Sequence, residues 1–306
     1  MDIDDLRLFV DVARLEGFSA AARARNADPS AISRSIAALE DSIGVRLLHR
    51  TTRQVTLTEA GELFFARVAP LVDDFDATCD EARSIASGPT GTLRMTASNA
   101  FGPTCIAPLL PEFHALYPRL RLELVLSDDN LDLVADRIDL AVRLGLPTDT
   151  SLARVKLFDT HYRVCVAPSY LARAPALKSP ADLAQHRALL FPFGDFRSRW
   201  TFQSAADGSA ETVAVDGDLI TASALTLKGC AIAALGPTLL PHWLVDEDIA
   251  AGRLINAFPG YRVSATSFET AAWILYPTRS YLPGKVKAMA DFLRSRLRHL
   301  GGNEAS

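Results

Sequence analysis

Ser30, Ser33 and Arg34 have side chains that donate hydrogen bonds, and their spacing places them on one face of a helix. The apolar residues of the same segment recur at i, i+4, i+7 and i+11 and form the opposite face: Ile32, Ile36, Leu39 and Ile43. A small, hydroxylated and basic helix face suits the major groove of DNA, where an arginine can bind guanine through two hydrogen bonds. The same residues could also be an ordinary polar surface.

The flanking segments predict the frame that would hold this helix. Residues 6–13 carry apolar side chains on one helical face, and Gly17 ends that helix. A short second helix is expected at 20–25, and Asp28 with Pro29 is a typical start for the third. After Gly44, residues 46–57 read as a two-stranded hairpin whose tip holds Arg50, Thr52 and Arg53. The order predicts a winged helix-turn-helix, with the wing against the DNA backbone.

The charge of the chain argues against general binding to polyanions. The 306 residues are 49% hydrophobic and 22% charged, with a net charge of −4, so a folded protein without a positive coat is expected. Residues 23–57, however, contain six arginines against three acids. Any affinity for DNA must therefore come from this local cluster.

Residues 58–86 predict one long amphipathic helix, which Ser87-Gly-Pro-Thr-Gly91 ends. The apolar stripe of this helix is expected to have no partner within the N-terminal segment, and a pair of DNA half-sites needs two recognition helices. We therefore expect homo-oligomerisation through this helix. The expected dimerisation residues are Leu63, Phe64, Leu71 and Phe75.

From residue 92 onward, strand and helix patterns alternate, which predicts an α/β region with mostly parallel sheets. Strands are expected at 92–97, 121–126, 139–143, 162–167, 188–191, 212–215 and 271–276. Helices are expected at 108–116, 222–234 and 284–297. Ligands of such sheets bind in crevices at the strand ends.

Other chemistry lacks a recognisable pattern. The chain has no GxSxG, HExxH, Walker or GxGxxG motif, and its histidines and four cysteines show no metal-ligand spacing. We expect no catalytic site, metal or cofactor. The acidic N-terminus does not resemble a signal peptide, and no apolar run reaches the roughly 20 residues of a membrane helix. A cytoplasmic protein without membrane contact is therefore expected.

An ordered series of motifs resembles the LysR-type transcriptional regulators. It includes Phe9-Val-Asp-Val-Ala13, Gly17-Phe-Ser-Ala-Ala21, Ser30-Ala-Ile-Ser-Arg34, Arg50-Thr-Thr-Arg53, Leu57-Thr-Glu-Ala-Gly61, Asp139-Leu-Ala-Val-Arg143 and Leu239-Leu-Pro241. The resemblance covers nearly the whole chain. One departure is local: the family's Gly-x-Gly segment retains Gly236, but Ala234 occupies the first glycine position.

The resemblance implies a multidomain α+β protein that forms homo-dimers or homo-tetramers and binds a dyad-symmetric operator in double-stranded DNA and a small-molecule effector. The expected domains are a winged helix-turn-helix at 1–59, a linker and dimerisation helix at 60–90, a two-subdomain α/β effector domain at 91–300 that resembles periplasmic binding proteins, and a tail at 301–306. The alternative is a solute-binding or enzymatic α/β protein whose N-terminal helices mediate assembly.

Within the effector domain, strand ends and helix starts suggest the binding residues. The candidates are Ser98, Asn99, Ser127, Asp128, Arg143, His161, Thr221 and Ser223. Arg143 could hold a carboxylate through two hydrogen bonds, so an anionic organic effector is expected. Alternatively, Arg143 pairs with an internal acid, Ser98 only caps a helix, and His161 only completes a strand end.

Overall fold

The computed structural model describes residues 1–50, 55–129, 131–145, 152–277 and 282–301. The chain forms two compact units, which are divided along the sequence between Thr90 and Gly91; a short segment that ends at Gly284 also belongs to the first unit. Within the described ranges, no helix has both the length and the apolar character needed to cross a bilayer.

The N-terminal unit contains the predicted series of helices and a hairpin. Its elements are α1 (Ile3–Arg14), α2 (Phe18–Arg25), α3 (Pro29–Ile43), β1 (Leu48–Arg50), β2 (Val55–Leu57) and α4 (Glu59–Ser87). The two strands are antiparallel, with His49 opposite Thr56. The long helix predicted for 58–86 is therefore confirmed to within one residue at each end.

The core of this unit lies between α1, α3 and the first half of α4. Phe9, Ile36 and Leu39 are almost fully buried there. The ring of Phe9 meets the rings of Phe64 and Phe65 edge-on, with centroids 5.4 and 6.4 Å apart. One face of α4 thus has a partner within the chain, which corrects the expectation that its apolar stripe lacks one.

The first sheet of the C-terminal unit has the strand order β4-β3-β5-β15-β6. These strands are β3 (Gly91–Ala97), β4 (Leu120–Leu126), β5 (Leu140–Leu144), β6 (Leu152–Thr160) and β15 (Thr270–Pro277). Helix α5 (Leu110–Leu116) connects β3 to β4, and a π-helical turn, Gly102–Ile106, precedes it. Helix α9 (Gly284–Leu297) is tied to this subdomain by Lys285, whose Nζ lies 2.7 Å from a carboxylate oxygen of Asp139.

The second sheet has the order β10-β9-β14-β7-β12-β8-β11, with β13 also paired to β7. Its strands are β7 (Tyr162–Val166), β8 (Arg187–Leu190), β9 (Arg199–Ser204), β10 (Ala210–Ala214), β11 (Asp216–Ile220), β12 (Thr238–Pro241), β13 (Ile255–Asn256) and β14 (Tyr261–Ser264). The helices of this subdomain are α6 (Pro168–Leu171), α7 (Ala224–Ile232) and α8 (His242–Ala250).

The expectation of mostly parallel sheets was wrong. Parallel pairs join β3 to β4 and β5, and β8 to β11 and β12, but the other pairs are antiparallel. The cause is the path of the chain between the two sheets. It leaves the first sheet after β6 and returns to it at β15, so these two neighbouring strands run in opposite directions.

Ala234 has a left-handed backbone, with φ of 62°. It follows α7, where the N–H of Leu235 donates to the carbonyl of Cys230, as in a helix-ending motif that normally uses glycine. Gly236 is needed for space, because a Cβ there would lie 2.3 Å from the carbonyl oxygen of Arg187. Ala234, which occupies the first glycine position of the family's Gly-x-Gly segment, therefore has a strained left-handed backbone conformation.

Replacing Ala234 by glycine is expected to stabilise the C-terminal unit by about 1 kcal/mol, since a left-handed backbone costs an L-residue roughly 1–2 kcal/mol and glycine loses part of that gain through chain entropy. Thermal unfolding of the full chain would measure the change. Alanine at Gly252, whose φ is 71°, should have the opposite effect. A lower melting temperature for Ala234→Gly would contradict the assigned strain.

Candidate functional site

The candidate DNA-reading helix is α3. Asp28 caps its start by accepting a hydrogen bond of 2.7 Å from the N–H of Ser30, and Pro29 follows as the first helical residue. Ile32 and Ile36 face the core, while Ser30 and Arg34 are exposed. Ser33 is half-buried. The three predicted residues thus lie on the helix in the expected arrangement around its solvent-facing side.

Ser30 also has a structural task. Hydrogen bonds from its hydroxyl and from its backbone N–H hold the pKa of Asp28 below the ordinary value, so the cap remains anionic. A hydroxyl that already donates to Asp28 can still accept a hydrogen bond.

Four acids of the N-terminal unit are paired with arginines away from α3. Arg7 forms ion pairs with Asp4 and Asp76, and Arg14 binds Asp73 through two hydrogen bonds of 2.7 and 3.0 Å. A further pair joins Arg25 to Asp11 at 2.7 Å. These four carboxylates are neutralised locally, so their charge adds little to the potential at α3.

The start of α4 holds the base of the wing. Thr58 donates from its hydroxyl to the carbonyl of Arg46 and from its N–H to that of Leu47. Buried Glu40 accepts from the N–H groups of Leu47 and Leu48, at 2.9 and 3.0 Å. Sequence reasoning missed Glu40, although a carboxylate on an otherwise apolar helix face was a signal of such a role.

Two of the three predicted wing residues are not among the described residues. The backbone of Arg50 ends β1, while Thr52 and Arg53 lie outside the described residues.

Helix α4 presents an exposed apolar stripe. Leu63, Leu71 and Phe75 are 68, 65 and 45% exposed, and at 100° per residue they fall within about a third of the helix circumference. Arg7 lies over the ring of Phe75, 5.3 Å from its centroid. Phe64 differs from the other predicted dimerisation residues because it packs on Phe9 in its own chain. Phe64 is therefore not part of the exposed stripe.

A cavity of about 280 Å³ lies between the two subdomains of the C-terminal unit. Four of the predicted effector residues line it: Ser98, Asn99, Asp128 and Ser223. They come from the segment after β3, the segment after β4 and the start of α7. The crevice expected at the strand ends therefore brings half of the predicted set together.

The polar residues of this wall already have hydrogen-bond partners within the chain. Asp128 accepts from the N–H and the side-chain amide of Asn99, at 3.0 and 2.8 Å. Ser98 accepts from the N–H of Phe101, and Ser223 caps α7 by accepting from Thr226. Each carboxylate oxygen of Asp128 can accept more than one hydrogen bond, so the exposed side chain can still bind a donor.

The rest of the wall is apolar, and five of its eleven residues are aromatic, which the sequence did not predict. It contains Tyr162, Phe191, Phe193, Phe196 and Trp243. The ring of Phe196 meets those of Tyr162 and Phe191 edge-on, with centroids 5.3 and 5.7 Å apart. Burial raises the pKa of Tyr162 to about 12, so its phenol stays neutral.

The other four predicted effector residues do not line the cavity. Arg143 lies nearby, and its guanidinium donates to Thr96 Oγ1 and to the carbonyls of Val142 and Asp129, each at 3.3 Å. Burial lowers its pKa, and the charge of Asp128 partly opposes that shift. Ser127 Oγ accepts from the N–H of Asp129, and Thr221 Oγ1 accepts from that of Ser223.

His161, the last of these four, lies on the segment that crosses from β6 to β7. Its ring stacks on that of His242, with centroids 3.8 Å apart and planes within 7°. His242 in turn bonds to the carbonyl of Leu300 through Nε2, at 2.9 Å. Burial, His242 and Arg163 lower the pKa of His161 to about 4, so the stack is neutral near pH 7.

Comparison with known families agrees with this geometry. Residues 3–62 match the model of the bacterial regulatory helix-turn-helix protein, lysR family, and residues 86–298 match the LysR substrate binding domain. The chain belongs to the LysR family of transcriptional regulators. Regulators of this family bind DNA and small-molecule effectors and form oligomers, and they are not enzymes.

Individual relatives are similar over almost their full length. The chain is 34% identical to the regulator PtxR of Pseudomonas aeruginosa over 302 residues, covering 97% of this chain and 93% of PtxR. It is 33% identical to DmlR of Escherichia coli, covering 95 and 93%. The solved structure of CrgA from Neisseria meningitidis matches with 30% identity and a TM-score of 0.59, covering 97 and 99%. The winged helix-turn-helix and the effector domain thus occur together in this LysR-type regulator.

Proposed function

We propose that this LysR-type regulator binds a dyad-symmetric operator as a homo-oligomer. The observation that carries the proposal is the exposure of Ser30 and Arg34 on α3, with Ser33 beside them, while the apolar face of the helix is buried. Arg34 would bind a base edge, and the hydroxyls together with Arg50, Thr52 and Arg53 of the wing would bind the flanking backbone. Dimers or tetramers form through the exposed stripe of α4.

The effector binds in the cavity between the two subdomains of the C-terminal unit. Ser98, Asn99, Asp128 and Ser223 line it together with the aromatic side chains. The chain crosses between the two sheets that flank this cavity twice, from β6 to β7 and from β14 to β15. A ligand that binds one arrangement of the two subdomains more tightly than another would shift the equilibrium between these arrangements. The match of residues 3–62 to the family's helix-turn-helix argues against the solute-binding or enzymatic alternative.

Arg34→Ala is expected to weaken operator binding by roughly 1–3 kcal/mol and to relax the choice of base at one position of each half-site, because a bidentate arginine contact reads that base. Footprinting on the operator and on variants of its half-sites would measure both effects. Arg53→Ala should instead weaken binding to all DNA sequences equally and reduce the slope of log affinity against log salt concentration by about one unit.

The matched control is Arg121→Ala in the C-terminal unit. Its side chain is 78% exposed, and the replacement changes the net charge by the same amount. Operator affinity and base preference should stay at the wild-type level. Wild-type base preference in Arg34→Ala would refute the assignment of α3 as the reading helix.

A further inference from the structure

We infer that the effector is an uncharged aromatic compound carrying a hydroxyl group. This inference rests on the proposed function, because it assigns a ligand class to the same cavity. It replaces the anionic ligand expected from the sequence, whose main support was Arg143.

The size and lining of the cavity favour an aromatic ring. A volume of about 280 Å³ exceeds the roughly 150 Å³ cavity that holds benzene in an engineered protein core, so one ring with a short substituent fits. Phe191, Phe193 and Phe196 supply aromatic faces and edges on one side. Aromatic pairs gain about 0.5–1.5 kcal/mol beyond area burial when rings stack with an offset or meet edge-on. An aliphatic chain would forgo this gain.

The charges around the cavity disfavour a carboxylate. Among the described residues that line it, Asp128 supplies the negative charge and no lysine or arginine is present. The guanidinium of Arg143 lies outside the wall and donates to Thr96, Asp129 and Val142. An anionic ligand would therefore meet the carboxylate of Asp128 without a cationic side chain among the described lining residues to compensate it.

The polar groups of the cavity wall favour a ligand group that both donates and accepts. Asp128 can only accept, whereas backbone N–H groups at the start of α7, beside Ser223, are donors. A hydroxyl can bind next to either of them, because it has one O–H donor and two acceptor lone pairs. Asp128 would repel a carboxylate, and the helix start disfavours an ammonium.

The test uses three probes of similar size on the full chain: benzyl alcohol, benzoate and hexanol. Calorimetric titration should give benzyl alcohol at least a tenfold lower Kd than benzoate and than hexanol. Asp128→Asn should remove the preference over benzoate, and Phe196→Leu the preference over hexanol. Phe268 lies outside the cavity wall, so Phe268→Leu should leave the Kd values of all three probes unchanged.

Tighter binding of benzoate, equal binding of hexanol, or no binding of benzyl alcohol at millimolar concentration would overturn the assigned ligand class. So would identical constants in wild type and both wall variants. Footprinting of an operator by the same wild-type preparation tests the proposed function separately. A normal footprint combined with tighter benzoate binding would reject the ligand class alone, while the absence of any footprint would reject the proposed function whatever the probes show.

Discussion

Replacing Leu71 and Phe75 with glutamate is expected to convert the regulator to monomers and to abolish tight operator binding. The two side chains are 65 and 45% exposed on α4, and burying a leucine or phenylalanine contributes about 1.5–3 kcal/mol per side chain. Charged groups in both copies of a two-fold interface would remove this contribution and add desolvation and repulsion. The dimer dissociation constant should rise at least a hundredfold, or about 2.7 kcal/mol. Sedimentation over a concentration series would measure it.

The control is Val134→Glu, which introduces the same charge at an apolar side chain 60% exposed in the C-terminal unit. It should keep the wild-type sedimentation profile, which also decides between dimer and tetramer. Circular dichroism should show that the α4 variant is folded, since its loss of the Arg7 contact to Phe75 removes only about 0.5–1 kcal/mol. A wild-type oligomer in the double variant would place the interface elsewhere.

The N-terminal unit could be predicted well because its signals are local. Asp28 and Pro29 start α3 and Gly44 ends it, and the apolar period fixes which side of the helix is buried. The sequence could not show that α4 both packs on the core of its own unit and presents an exposed apolar stripe. Helical period alone does not say whether an apolar residue packs within the chain, as Phe64 does, or remains exposed, as Leu71 does.

The C-terminal unit was predicted less well because its pairing is non-local. Strand β6 was missed, and the antiparallel partners of β7 come from residues 73 to 101 positions later. Asp128 was predicted correctly as part of the cavity wall from its place at a strand end. The aromatic wall was not. Phe191 and Phe193 flank a proline just after β8, and this aromatic pair at a strand end was the available signal.

Gly61 provides the sharpest constraint on the position of the wing. It lies in the first turns of α4, where its N–H donates to the hydroxyl of Thr58. A Cβ at this position would lie 1.9 Å from the carbonyl oxygen of Leu47 and 2.9 Å from the carbonyl carbon. The Leu47 carbonyl already accepts from the N–H of Thr58. The glycine within Leu57-Thr-Glu-Ala-Gly61 therefore allows the helix to pack directly against the strand that leads into the wing.

Gly61→Ala is expected to destabilise the N-terminal unit by about 3 kcal/mol or more, the upper range for overpacking, because the clash is with backbone and no rotamer change can relieve it. Operator affinity should fall as well, since the base of the wing must move. Gly229→Ala is the matched control: this glycine is also helical, in α7, and no atom lies within 4 Å of the added Cβ. There the better helix propensity of alanine should stabilise by up to about 1 kcal/mol. Hydrogen exchange of amides in α3 and α4 would separate the two variants, and equal protection in both would show that the wing does not depend on the close approach at Gly61.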